Sequence, residues 1–351
     1  IITKYNYVLN VGDKVVIKLF HTDLDILYED NDLIIISKSS GLLTVSTEND
    51  KENTLYRAVS NYAKRDIKSR KVFIVNRLDK DTSGIYTTSS TDSSKAVYYY
   101  RGSVDNHLIF ANFCWRIIRT TETSGVKLIY DGVPSSGKCN NTGSATTIGS
   151  SAFNSSYNNM KYVGYMYGSS ISDTSNTTNS TIKGVIDTWY KNNMTSYTSK
   201  LEDIVFCNDR SYTTSGSSLC FGAYNRLVSN KQPTLKCQNT RDKFTVNTNN
   251  GNGDLTYLVG LITANESAYA GAVYGELDKT FYLYSGIYTW TLSPYYFEYS
   301  VATVFTNSPN GGMYGANVTS SSVGVRPVIS LKSGTILSSG SGTASSPFVV
   351  E

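Results

Sequence analysis

The sequence predicts an α+β protein in two unlike parts: an incomplete mixed-sheet fragment, followed by a longer α+β domain with short helices and many short strands. Short apolar runs such as residues 33–36 and 72–75 indicate strands, and brief stretches with helical spacing of apolar residues indicate helices. After Gly84 the chain becomes rich in Ser, Thr, Asn and Tyr. This change of composition places a domain boundary near residue 85.

The size and charge of the chain limit the classes of protein to which it can belong. Its 351 residues are enough for two or three domains. Its net charge of +4 is too small to argue for nucleic-acid binding by itself, and the one basic cluster, residues 64–71, is either a phosphate contact or a solvated helix end. No apolar run approaches the roughly 20 residues that cross a membrane, so we expect no membrane span. The start at Ile1 rather than Met leaves room for a signal peptide upstream.

The first 84 residues show a regular order of predicted elements. Residues 6–20 place a Gly-Asp turn ahead of alternating apolar and polar positions, which predicts a strand. Residues 26–43 predict two apolar strands joined by an acidic Asn-Asp turn. Helical spacing of apolar residues predicts a helix over residues 54–64, and residues 72–75 predict a buried strand that leads into a polar motif.

The most informative stretch is residues 75–84, which read Val-Asn-Arg-Leu-Asp-Lys-Asp-Thr-Ser-Gly and place Asp79 between Arg77 and a tight polar turn. This stretch resembles the signature of the RluA-type pseudouridine synthases, His-Arg-Leu-Asp-x-x-Thr-Ser-Gly, with Asn76 where the family has His. The preceding order of strand, strand, helix and strand is also similar to that family over residues 23–84. The alternative interpretation of the same residues is an ordinary ion pair beside a turn.

The resemblance implies a chemistry and a substrate. Isomerising uridine to pseudouridine breaks an N–C glycosidic bond and rejoins the base through carbon, which needs a positioned carboxylate and no metal or organic cofactor. By this resemblance Asp79 is the catalytic nucleophile or base, and Arg77 orders that carboxylate or a phosphate. Thr82, Ser83 and Gly84 are expected to shape the turn, and together with Asn76 they are the expected substrate-binding residues. RNA is the expected partner, with the target base flipped out of a duplex.

The same resemblance indicates that the enzyme is truncated. Residues 1–22 resemble the end of an S4-like RNA-binding module, and residues 23–84 resemble only the start of the catalytic domain. The family draws a stacking tyrosine and a basic residue from sequence after the signature, and neither motif follows Gly84. Residues 23–84 are also fewer than a self-sufficient catalytic core needs. We therefore expect little or no isomerase activity.

The remaining chain predicts a strand-rich domain with a few helices. A hairpin is predicted from a strand over residues 110–119 and a second over residues 126–131. Asn179 or Ser180 is a predicted cap for a helix with Ile182, Ile186 and Trp189 on one face. Further predictions are a capping box at Thr263 and Glu266 with Gly271 closing the short helix, a strand region over residues 290–294, and an edge strand near Pro327.

Residues 85–351 resemble modules of surface proteins from gut Firmicutes, through motifs such as Tyr-Tyr-Arg-Gly, Trp-Arg-Ile-Ile-Arg, Trp-Thr-Leu-Ser-Pro and Gly-Val-Arg-Pro-Val-Ile. The order of these motifs is similar to that of C-type-lectin or formylglycine-generating-enzyme folds. The resemblance implies a module whose loops, rich in Tyr, Trp and Asn, contact a protein or glycan, since Tyr and Trp give rigid contact area. The alternative is that the tyrosines serve ordinary core and strand packing.

Other candidate chemistry is sparse. The five cysteines, at positions 114, 139, 207, 220 and 237, have no Cys-x-x-Cys spacing, so no zinc site is expected. The last three are close enough in sequence for one disulfide, with free buried thiols as the alternative. His21 and His107 have no nucleophile pattern beside them and are expected to be surface or core residues. Residues 250–254 predict turns, with a Ca²⁺ site as the minor alternative.

Three functional hypotheses stay open. The chain is an RNA-modifying enzyme or its remnant, an extracellular surface or adhesion protein without catalysis, or a chimeric reading frame joined near residues 82–87. The first part implies the cytoplasm, whereas a disulfide-bearing display module implies the cell surface or exterior. The localisation is therefore left open.

Overall fold

The computed structural model describes residues 24–29, 34–38, 43–45, 54–65, 72, 91–92, 95, 97–215 and 218–351. The described elements before residue 72 are strands β1 (Asp25–Glu29) and β2 (Ile34–Ser37), which pair antiparallel, and helix α1 (Leu55–Ala63). They confirm the two strands and the helix predicted between residues 26 and 64. The strand predicted over residues 6–20 and most of the one over residues 72–75 lie outside the described residues.

Helix α1 begins where the sequence offers a cap. The Thr54 side chain accepts a hydrogen bond from the backbone N–H of Arg57, and Val59 and Ala63 are buried on one face. The Tyr62 hydroxyl donates to Glu29 Oε2 at 2.8 Å and so joins the helix to β1. All of these contacts lie within the N-terminal elements β1 and α1.

From residue 97 onward the chain forms an α+β domain with two large sheets, in which most neighbouring strands pair antiparallel. Its strands are β3 (His107–Phe110), β4 (Phe113–Thr120), β5 (Val126–Tyr130), β6 (Met166–Tyr167), β7 (Thr178–Asn179), β8 (Phe206–Cys207), β9 (Tyr212–Ser215), β10 (Ser218–Phe221), β11 (Lys243–Phe244), β12 (Thr289–Glu298), β13 (Val301–Asn307), β14 (Met313–Asn317), β15 (Val328–Leu331), β16 (Leu337–Ser339) and β17 (Phe348–Val350). Its helices are α2 (Thr181–Asn193), α3 (Gly222–Tyr224, continued by a π-helical turn, Asn225–Ser229) and α4 (Ala264–Ala270). Short 3₁₀ turns cover Gly143–Thr146, Met160–Val163, Thr195–Lys200 and Thr240–Asp242.

The larger sheet has the order β15-β5-β4-β3-β17-β16, and only β17 and β3 run parallel. The predicted hairpin is present as β4 and β5, but the prediction was wrong at its start. Phe110 ends β3, and Ala111 and Asn112 form a two-residue turn with φ of 53° and 63° before β4 begins. A turn with positive φ at both positions matches the twist of a hairpin, and Asn tolerates it well. Strand β15 lies at the edge, as Pro327 predicted.

The second sheet has the order β14-β13-β12-β10-β9 and is antiparallel throughout. The strand predicted at residues 290–294 is part of β12, which extends to Glu298. The pairing of β12 with β13 shifts register on both sides of Pro294, which is consistent with a bulge at a residue that has no N–H to donate. The irregular pairing of β12 therefore centres on the proline.

One hydrophobic core joins both sheets and the helices. Trp115 and Trp290 are its largest side chains, and both are fully buried. Ser180 caps α2 as predicted, with its hydroxyl 3.3 Å from the Lys183 N–H, and the predicted face of α2 enters this core. The capping box of α4 is also confirmed. No helix in the described parts of the chain is long and apolar enough to span a membrane.

Candidate functional site

The described domain contains a charged pocket of about 550 Å³, lined by β4, β5, the segment around residues 202–209, the loop 234–251 and the start of α4. Six Lys or Arg and six Asp or Glu contribute to its wall, together with several Asn and Thr side chains. The charged residues of the wall are Asp92, Lys95, Arg119, Glu122, Lys127, Glu202, Asp203, Asp209, Arg226, Lys236, Lys243 and Glu266. This mixed lining suits a polar or charged ligand better than an apolar one.

A buried ion triad lies in the pocket wall. Glu266 Oε1 accepts hydrogen bonds from Arg119 Nε at 2.9 Å and from Lys127 Nζ at 2.7 Å. Its other oxygen accepts from the N–H and hydroxyl of Thr263, the capping residue of α4. All three charged side chains are at least nine-tenths buried. The local sequence that begins α4 therefore also positions the carboxylate that neutralises two distant cations.

Electrostatics keep this triad charged. Burial by itself would raise the pKa of Glu266, but the neighbouring Lys127 and Arg119 lower it to about 2. Burial lowers the pKa of Lys127, and the Glu266 carboxylate opposes that shift. The ammonium also lies 5.0 Å from the centre of the Phe206 ring, which adds a cation–π contact.

Further along the wall, Arg226 connects two loops. Its NH1 group donates to Asp209 Oδ2 at 2.8 Å, and its Nε donates to Asn265 Oδ1 at 3.3 Å. Asn265 in turn accepts the backbone N–H of Thr234 at 3.1 Å. These bonds fix the loop that follows α3 against the start of α4.

Two disulfides hold the loops near the pocket and the larger sheet. Cys207, in the pocket wall, pairs with Cys237, and Cys114 pairs with Cys139; each pair has a Cα–Cα distance of 5.7 Å. Cys220 is a buried free thiol. The single disulfide considered among residues 207, 220 and 237 is therefore the 207–237 pair, whereas the 114–139 bond was not predicted.

The aromatic residues divide between core and surface. Trp115 and Trp290 are fully buried, and each indole N–H donates to a backbone carbonyl, so neither ring is available to contact a ligand. A tyrosine cluster covers part of the second sheet, with Tyr295 buried at its centre and the other members half-buried around it. The other members of this cluster are Tyr224, Tyr274, Tyr296 and Tyr314. Packing therefore accounts for the five tyrosines of this cluster.

His107 is a half-buried residue on β3. Its Nδ1 atom lies 3.7 Å from Asp131 Oδ2 and makes no hydrogen bond in the described structure. Burial, followed by the charge of Arg116, lowers the pKa of His107 to about 4. Asp131 also accepts a hydrogen bond from Arg326 at 2.7 Å, so its charge already has a buried partner. His21 lies outside the described residues.

Residues 250–254 form an irregular loop in the part of the chain that the structure describes. Asp254 Oδ2 accepts a hydrogen bond from Asn176 at 2.7 Å, so this oxygen already has a partner within the domain. Within the described ranges, no group of three or more His, Cys, Asp or Glu residues could hold a metal ion. The turn interpretation agrees with this geometry.

The residues predicted from the pseudouridine-synthase signature all lie outside the described residues. They are Asn76, Arg77, Asp79, Thr82, Ser83 and Gly84. Their roles remain predictions. The charged pocket, in contrast, was not predicted, because its residues come from segments between Asp92 and Ser293 that are distant in the sequence and share no motif.

The described part of the chain thus defines an α+β domain with a mixed-charge pocket and two disulfides. No family model matches the chain, and no solved structure matches it. The sequence is 35% identical over 99 residues to ribosomal large subunit pseudouridine synthase D of Buchnera aphidicola, a match that covers 28% of each chain. It is 37% identical over 68 residues to the protein of the same name in Yersinia pestis, covering 19% of this chain and 21% of the relative.

A third relative is an uncharacterized RNA pseudouridine synthase of Bacillus subtilis, 35% identical over 89 residues that cover 22% of this chain and 30% of the relative. The chain therefore spans less than a third of the length of these curated relatives. This similarity supports the resemblance to RNA pseudouridine synthases that was drawn from residues 75–84. It does not extend to the greater part of the chain.

Proposed function

We propose that residues 23–84 derive from an RNA pseudouridine synthase of the RluA type, with Asp79 as the candidate catalytic carboxylate, and that residues 85–351 form a separate ligand-binding module. The observation that carries this proposal is the composition of the large core. Among the described residues, every member of that core, and every partly buried hydrophobic residue packed against it, lies at or after Tyr100. This supports a domain whose core is built from the residues that follow the predicted boundary.

The proposed chemistry belongs to the first segment. Asp79 acts as nucleophile or base at the sugar of uridine, and Arg77 orders it or a phosphate of the RNA. Thr82, Ser83 and Gly84 shape the turn, and together with Asn76 they bind the substrate. RNA is the partner of this segment.

We also propose that this chain does not complete the reaction. The family draws a stacking tyrosine and a basic residue from sequence after its signature, and no matching motif follows Gly84. The residues described from 97 onward instead build the two sheets around their own core. A carboxylate without these partners is not expected to turn over uridine.

The test is tritium release from RNA labelled at uridine C5, using the full chain. We expect no release above background, while a complete pseudouridine synthase, as positive control, releases tritium. The matched variant is Asp79→Asn. Release by the unaltered chain that disappears in this variant would contradict the proposed inactivity and establish Asp79 as catalytic.

The second candidate function is ligand binding by residues 85–351 outside the cell, with a protein or glycan as partner. Two disulfides favour this candidate, since such bonds persist mainly in oxidising compartments. Mass spectrometry of peptides from the natural host tests it, by showing whether the Cys114–Cys139 and Cys207–Cys237 pairs are oxidised and whether the protein is labelled by a membrane-impermeant reagent. Reduced thiols and no labelling would contradict the extracellular assignment.

The chimeric alternative has its own test. A join near residues 82–87 would place two unrelated coding sequences together. Long-read sequencing of genomic DNA and transcripts across these codons distinguishes the cases, because a continuous expressed transcript contradicts an assembly artefact.

A further inference from the structure

We propose that the charged pocket binds the protonated α-amino group of a peptide or free amino acid, with Glu202 as its carboxylate partner. The inference rests on the ligand-binding role proposed for residues 85–351 and specifies the chemistry of the ligand. Four features of the pocket carry it: a local excess of carboxylates on one side of a lining that is balanced overall, an unpaired carboxylate, unused donors, and a volume larger than one residue.

The charge imbalance concerns five residues that interact electrostatically on one side of the pocket. Two are cations, Arg119 and Lys127, and three are carboxylates, Glu122, Glu202 and Glu266. Glu266 contacts both cations, and Glu122 Oε2 lies 3.4 Å from Arg119 NH1. The two cations are therefore already engaged, and one further positive charge would balance the cluster.

Glu202 is the carboxylate that lacks a cation. Its Oε2 atom accepts hydrogen bonds from the Thr121 hydroxyl at 3.0 Å and the Ser330 hydroxyl at 3.2 Å, and it forms no ion pair with the described residues. Its backbone N–H bonds to the Ser330 carbonyl at 2.8 Å, which fixes its position. Burial raises the pKa of Glu202. An ammonium group would supply both the missing charge and donors for the remaining oxygen.

The buried cations offer donors that complement the other half of an amino-acid head group. The Lys127 ammonium carries three N–H donors and donates one hydrogen bond among the described residues. The NH2 group of Arg119 donates none among them. Both side chains line the pocket, so an oxygen acceptor of a ligand can bind these donors. A carbonyl or carboxylate oxygen beside an ammonium is the arrangement found in every peptide amino terminus and free amino acid.

The size and the rest of the lining favour a peptide over a single amino acid. The pocket of about 550 Å³ is within the range of sites that enclose a small organic ligand, and it contains the amide side chains of Asn249, Asn250 and Asn265. Amide side chains can both donate to and accept from a peptide backbone. Asn265 already accepts from Thr234 and Arg226, which holds it in place.

The experiment exposes the full chain to three mixtures: random tripeptides with free amino termini, the same tripeptides acetylated, and the twenty free amino acids. Ligands retained after rapid gel filtration are quantified by mass spectrometry. We expect at least tenfold more retention of free-amine than of acetylated tripeptides. The amino-acid mixture distinguishes the two sources of the α-amino group, since strong retention there would assign the site to free amino acids.

The decisive variant is Glu202→Gln, which keeps the shape and the acceptor but removes the charge. We expect it to lose retention by tenfold or more, whereas Glu276→Gln, at an exposed carboxylate outside the pocket, stays unchanged. Circular dichroism and thermal unfolding check that both variants fold. Equal retention of acetylated ligands, no effect of Glu202→Gln, or no retention of any mixture would each overturn the proposal. Capture of a glycan or protein in those cases would leave the binding role itself standing.

Discussion

Lys127 and Glu266 form a buried ion pair in which Nζ lies 2.7 Å from Oε1, with 1% and 2% of the two side chains exposed. They are 139 residues apart in the sequence, so their pairing ties the larger sheet to the start of α4. Arg119 shares the same oxygen. Two buried cations thus share one buried carboxylate, which makes this position sensitive to substitution.

Glu266→Gln should strongly destabilise the domain. The substitution leaves Arg119 and Lys127 buried near a neutral group, and removing one partner of a buried ion pair costs about 3–5 kcal/mol. Urea unfolding followed by tryptophan fluorescence measures the loss. Glu276→Gln is the control for an exposed acid and should change the free energy of unfolding by less than about 0.5 kcal/mol. A loss below about 1 kcal/mol for Glu266→Gln would contradict the pairing.

The disulfides predict a definite pattern of thiol reactivity. Unfolded without reductant, the protein should take up one iodoacetamide, at Cys220, and after reduction it should take up five. The double variant Cys207→Ser, Cys237→Ser should lose about 2–5 kcal/mol of stability, as is typical when a native disulfide is removed. Mass spectrometry and urea unfolding provide the two measurements. Three or more alkylated sites before reduction would show that a pair is absent.

The predictions that were made from local sequence patterns were mostly confirmed. Thr263 and Glu266 predicted a capping box, and Ser180 predicted the start of α2, because a cap involves residues only three positions apart. The hairpin of β4 and β5 was also predicted, although its first strand began too early. There the turn at Ala111 and Asn112 escaped notice, since it lacks the glycine that usually signals positive φ.

Contacts between distant segments could not be predicted in this way. Nothing near Glu266 indicates that it would neutralise Arg119, 147 residues away, or that the pocket would form around them. The same is true of the Cys114–Cys139 bond, whose partners belong to different elements. The two candidate site residues were identified in different ways. Asp79 was identified from a sequence motif and stays a prediction, whereas Glu202 was identified from the structure alone.

Acid should destabilise the domain through His107. Its pKa is lowered to about 4 in the folded protein, against about 6.5 in an unfolded chain, so between these values the unfolded state binds more protons. Stability is then fully present above pH about 6.5 and decreases as the pH falls toward 4, by up to about 3 kcal/mol. Urea unfolding at several pH values measures this slope.

Other groups also titrate in acid, so the contribution of His107 is read as a difference. His107→Gln cannot gain the proton, and its free energy of unfolding should depend less on pH between 6.5 and 4 than that of the unaltered protein. Identical slopes for the two proteins would show that His107 is not held neutral by burial.

Two glycines should respond in opposite ways to the same substitution. Gly311 has a φ of 93°, and a Cβ there would lie 1.9 Å from the Asp278 carbonyl oxygen, so Gly311→Ala should destabilise by more than about 1 kcal/mol. Gly184 lies exposed in α2, and a Cβ there would meet nothing within 4 Å. Gly184→Ala should therefore stabilise by about 0.5–1 kcal/mol, because alanine loses less backbone entropy in a helix. Each variant controls for the other in thermal unfolding, and a shift of the same sign in both would contradict the positions assigned to these residues.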